Sequence, residues 1–69
     1  MSLQNPPGWV APPPGWQWIA EWSYYEHAKG IVSYDPIKGS WTAVQDPGDG
    51  IHYPVGNPEE GFQEVIHGT

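Results

Sequence analysis

The chain has 69 residues, among them five Trp, four Tyr and one Phe, and it has no Cys. Two Lys, no Arg and eight acidic residues leave a net charge of −6. A phosphate backbone or an anionic lipid surface is held by several cationic side chains, and here only Lys29 and Lys38 exist, so nucleic acid and membrane are excluded as partners.

At this length one domain is the ceiling, and an isolated core of this size yields only ~3–5 kcal/mol. No apolar run approaches the ~20 residues of a membrane span, and no basic region followed by an apolar stretch marks the N-terminus. The expectation is a soluble protein without an export signal. Its aromatic side chains, each burying roughly 150–250 Å², must supply most of the core.

Residues 1–15 hold five of the nine prolines. Pro fixes φ and removes a donor, so this stretch is predicted to be an extended arm, in part polyproline II. Pro6-Pro7-Gly8-Trp9 recurs seven residues on as Pro13-Pro14-Gly15-Trp16. Each copy reads as a turn followed by an aromatic that pins the chain to a surface. The sharper reading is a ligand for an aromatic-lined groove, but such ligands usually bring a basic residue, and none is near.

From 16 to 25 the residues alternate. Trp16, Trp18, Ala20, Trp22 and Tyr24 point one way, and Gln17, Ile19, Glu21, Ser23 and Tyr25 the other. Helical spacing would instead group Trp18, Trp22 and Tyr25, yet the Pro-Gly start and the aromatic density favour a strand. Gly30 then opens Ile31-Val32-Ser33-Tyr34, the clearest strand. Asp35-Pro36-Ile37-Lys38-Gly39 is a turn, and Ser40 to Gln45 returns as the partner strand. The hairpin 31–34/41–45 is the centre of the predicted fold. Asp46 to Pro58 reads as loop, and Phe62 to Ile66 as a short closing strand. No long helix is predicted. The fold class is therefore all-β: a small antiparallel sheet over 16–69, preceded by the arm 1–15, with Trp41, Tyr34, Trp22 and Phe62 as its core.

Chemistry-bearing groups are sparse. Glu21, Glu26, Asp35, Asp46, Asp49, Glu59, Glu60 and Glu64 are scattered, and a chain this short forms no cleft to bury a substrate between two of them. Asp46-Pro47-Gly48-Asp49-Gly50 lacks the alternating oxygen ligands and distant Glu of a calcium loop, and reads as a turn. His27, His52 and His67 include no close pair of the sort that seeds a zinc site. The Gly-x-Ser-x-Gly elbow of serine hydrolases is absent. No catalytic residue, cofactor or metal is assigned, and the chain is not expected to be an enzyme. The aromatics remain. On the arm, Trp9 and Trp16 with Pro13 and Pro14 are the candidate partner contacts, and Trp18, Tyr24 and Tyr53 are the candidates for stacking on sugar rings.

From Trp22 onward the sequence resembles the small chitin-binding type of carbohydrate-binding module (families 5 and 12), as found in phage tail and virion proteins. Trp22, Tyr25, Gly30, Val32-Ser33-Tyr34, Gly39, Trp41-Thr42-Ala43, Pro58, Phe62 and Gly68-Thr69 carry the likeness, over about two thirds of the chain. The sequence departs from that pattern twice. Ile31 stands where an Asp follows the Gly, and Gln45-Asp46 stand where a sugar-stacking aromatic pair falls. Pro14-Gly15-Trp16, Tyr24-Tyr25-Glu26-His27, Trp41 and Pro47 also resemble a WW domain, though with different spacing, which would imply a reader of Pro-rich peptides.

Together these features lead to one expectation. The chain is a non-enzymatic, multi-copy phage virion accessory protein, a capsid decoration or tail-associated subunit, that docks on neighbouring protein subunits through its Pro/Trp arm. A carbohydrate-binding module acting on surface polysaccharide, virion-borne or secreted, is the second expectation, and a WW-like peptide adaptor the third.

Overall fold

The computed structural model describes residues 5–45 and 50–67. Five strands precede one helix: β1 Gln17–Ile19, β2 Tyr24–His27, β3 Gly30–Asp35, β4 Ser40–Gln45, β5 Tyr53–Val55, then α1 Pro58–His67. The strands form one antiparallel meander in chain order. Its centre is the predicted hairpin, with Val32 opposite Ala43 and Tyr34 opposite Trp41. The Asp35 carboxylate accepts the Ile37 and Lys38 amides at 2.9 and 3.2 Å and closes the turn between β3 and β4.

The pleat sends alternate residues to opposite faces. Trp18, Tyr25, Val32, Ala43 and Tyr53 make one row across all five strands, and Tyr34, Trp41 and Val55 lie beside it. This is the inner face. Phe62 and Val65 of α1 complete the buried core with Tyr25, Val32, Trp41 and Ala43. The outer face carries Ile19, Tyr24, Ser33, Thr42 and Pro54 in one row, with Ile31 and Val44 in the next. The Ser33 and Thr42 hydroxyls share a hydrogen bond of 3.1 Å there.

Several expectations need correction. The alternation over 16–25 is not one strand, because Ala20–Ser23 turns the chain between β1 and β2. The Trp22 amide donates to the Ile19 carbonyl, and Ser23 takes a positive φ of 56°. A residue in that region reverses the chain without any Gly or Pro to mark it. Trp22 consequently sits at the tip of the turn, 69 % exposed, and is not core. Trp41 and Phe62 are buried as expected, and Tyr34 is half-buried. The stretch read as loop contains β5, an edge strand whose Pro54 needs no ladder partner.

The expected closing strand over 62–66 lies instead within α1. Asn57 caps the helix, its side-chain oxygen accepting the Glu60 amide at 2.9 Å. Pro58 opens the first turn, where a missing donor costs nothing, and Glu59 and Glu60 face the positive end of the dipole. The Glu60 carboxylate also reaches back to the Gly56 amide at 2.7 Å. Gly61 sits against the sheet, where an added Cβ would come within 2.6 Å of Val32 Cγ1. A β-carbon there would push the helix off the strands.

The segment expected to be a separate arm also differs over residues 5–15, which lie on the inner face beside α1. Each Pro-Pro-Gly-Trp copy closes a turn. The Trp9 amide donates to the Pro6 carbonyl at 3.1 Å, and the Trp16 amide to the Pro13 carbonyl at 3.0 Å. Gly8 and Gly15 take φ of 85° and 89°, the third position of a type II turn, which disfavours any L side chain. Both tryptophans then pack on the core. The duplicated motif is one device used twice.

Candidate groove between the N-terminal segment and the helix

The inner face is covered by two pieces, which meet where Trp16 packs on Phe62. The helix α1 packs on β3, β4 and β5. The N-terminal segment is held by Tyr25 of β2 and Trp41 of β4. The Tyr25 hydroxyl donates to the Val10 carbonyl at 2.6 Å and accepts from the Val10 amide at 2.9 Å. The Trp41 indole donates to the Pro7 carbonyl at 3.0 Å. Burial raises the pKa of the Tyr25 phenol, and its hydrogen bond to Val10 opposes that in part.

Between segment and helix runs an open groove of about 400 Å³. Val10, Pro13, Trp16, Phe62 and Ile66 line it. Trp16 lies with its ring centroid 4.6 Å from that of Phe62 and 4.8 Å from that of His27, so it packs on both rings. The His27 ring is in turn fixed by accepting the Lys29 amide at Nδ1, 3.0 Å. Along the rim, α1 places Glu59, Gln63 and His67 at successive spacings of four, one exposed stripe beside the inward stripe of Phe62 and Ile66.

The structure thus brings two of the four predicted partner contacts, Pro13 and Trp16, to one groove. Trp9 is half-buried against the chain's own core, edge-on to Trp18 at 6.1 Å, and Pro14 is exposed in the second turn. The sugar-stacking candidates do not form one platform. Trp18 faces inward and packs on Tyr25 at 4.7 Å, and Tyr53 belongs to the same inner row, whereas Tyr24 lies on the outer face. The indole nitrogens of Trp9 and Trp18 are buried without an acceptor.

Sequence reasoning missed the helical half of the groove. The signal was Asn57-Pro58-Glu59-Glu60, a cap, a helix-opening Pro and an acidic first turn, followed by apolar residues at 62, 65 and 66. Among the described residues no three His, Asp or Glu side chains converge on a point that could hold a metal. Residues 46–49 of the stretch 46–50 read as a turn, and with them Pro47 of the WW-like pattern, lie outside the described residues, as does Gly68-Thr69. No family model matches the chain, and neither a curated protein nor a solved structure matches it.

Proposed function

We propose that this protein is a non-enzymatic structural subunit of a larger assembly, of the kind that decorates a phage capsid or joins a tail, and that it docks through the groove between residues 10–16 and α1. The observation that carries this reading is the groove itself, an apolar, aromatic-lined surface with rigid walls on both sides. Pro12 to Pro14 have little backbone freedom to lose, Val10 is held at both its amide and its carbonyl, and the opposite wall is a capped helix. A partner segment entering it meets a surface already ordered, so little binding energy goes into arranging it. The net charge of −6 supports the same reading, since it keeps a multi-copy surface protein from self-association. The likeness of residues 22–69 to modules of phage tail proteins supplies the setting.

The test is mass spectrometry of gradient-purified particles, with copy number measured against the major shell protein. A fixed stoichiometry in the particle supports the proposal. A protein found only as free monomer in the soluble fraction would overturn it.

A further inference from the structure

We infer that the occupant of this groove is an extended, apolar peptide segment of a partner protein that carries an arginine or lysine beside its anchoring side chain. The inference rests on the docking reading above and adds the chemistry of the partner.

The floor of the groove selects an apolar anchor. Trp16, Phe62 and Ile66 offer ring faces and aliphatic surface, and about 400 Å³ lies at the lower end of the range for ligand sites, roughly 300–1,000 Å³. An extended chain presents same-side residues about 7 Å apart and fills such a space with two side chains. Trp16 and Phe62 supply the aromatic lining in which extended Pro-rich peptides dock.

The rim selects the charge. The helix carries Glu59, Glu60 and Glu64 and no Lys or Arg, while the described part of the N-terminal segment, 5–16, carries no charge at all. Lys29 and Lys38 lie on the β2–β3 and β3–β4 turns and do not line the groove. Glu60 accepts the Gly56 amide and does not line the groove, so the exposed Glu59 is the carboxylate on it. A guanidinium can pair with that carboxylate in a fork and lie over an aromatic ring at the same time, so arginine suits the rim better than lysine. An acidic segment would be repelled.

The experiment uses the full chain, immobilised, to select from a displayed library of random hexapeptides. The expected consensus is a basic residue next to an aliphatic residue or proline, and binding of a synthetic consensus peptide should weaken about threefold to tenfold as salt screens the rim. Glu59→Lys should weaken that peptide about tenfold and shift the selection toward acidic sequences. Because Glu59 also favours the first helical turn, Gln63→Lys is the second variant. It places a cation on the same rim without touching the helix start. Selected peptides that lack basic residues, no enrichment on the folded protein, or affinities indifferent to both lysines would each overturn the inference. Incorporation of the two variants into particles separates this from the docking reading. Normal incorporation alongside any of those outcomes removes the partner chemistry and leaves the subunit role standing, whereas absence of the wild-type chain from particles removes the role.

Discussion

The Tyr25 hydroxyl and the Val10 backbone are locked together by two hydrogen bonds, one in each direction. A single phenol oxygen therefore satisfies both polar groups of a residue that belongs to no strand. Tyr25→Phe removes it and leaves an amide and a carbonyl without their partner, at a cost of about 2 kcal/mol. In a domain of this size that lowers the thermal midpoint by roughly 10 °C, as read by circular dichroism. The same variant should expose the segment 5–15 to limited proteolysis at temperatures where the wild-type chain resists.

Alkaline pH should release the same lock. Burial raises the Tyr25 pKa in the folded state above the ordinary phenol value of about 10. The folded state thus holds the proton more tightly than the unfolded chain does. Its contribution to stability is complete below pH ~10 and is lost as pH rises through the folded-state pKa. Denaturant unfolding between pH 8 and 12 should show a falling alkaline limb, and Tyr25→Phe should flatten it. An unchanged limb in the variant would assign the effect to other groups.

Two tryptophans on the inner face should respond differently to the same substitution. The Trp41 indole donates to Pro7, whereas the Trp18 indole nitrogen is buried without an acceptor. Trp41→Phe loses packing and a satisfied hydrogen bond and strands the Pro7 carbonyl. Trp18→Phe loses packing but removes an unsatisfied donor. Trp41→Phe should be the more destabilising by about 1–2 kcal/mol in urea denaturation.

Gly61 offers a test whose sign matters more than its size. In an exposed helix, Gly→Ala stabilises by about 1 kcal/mol. Here the new methyl would lie within 2.6 Å of Val32 Cγ1 and 2.9 Å of Cγ2, so Gly61→Ala should destabilise by about 1–2 kcal/mol. In a Val32→Ala background, which removes both methyls and leaves only the residue 32 Cβ at 3.3 Å, the same change should cost far less. A double-mutant cycle by chemical denaturation measures the coupling.

The central hairpin is readable from residues 30–45 because three signals agree there: strict alternation, β-branched and aromatic residues, and an Asp-Pro turn closed by Gly. The turn at Ala20–Ser23 is not readable, since hydrophobic alternation runs straight through it and Ser23 gives no sign of its φ of 56°. That silent turn moved Trp22 from the expected core to the surface. The helix was legible in its cap but not in its body. Phe62, Val65 and Ile66 fit a short strand nearly as well as a helix, and Gly61 argues against a helix until the approach of Val32 is seen. The groove combines both failures. Its N-terminal wall is readable from the Pro-Trp motif, but as an extended arm, because sequence carries no trace of the Tyr25–Val10 and Trp41–Pro7 bonds across 15 and 34 residues.

The inner face of the sheet is roofed by both extremities of the described chain, with Trp9 and Trp16 from one and Phe62 and Val65 from the other. The meander alone would expose Tyr25, Val32 and Trp41 to water until residues 5–16 and 58–67 close over them. Pairing of the strands and closure of these two segments should therefore be one cooperative step, and a variant lacking residues 58–67 should be degraded rather than merely weakened.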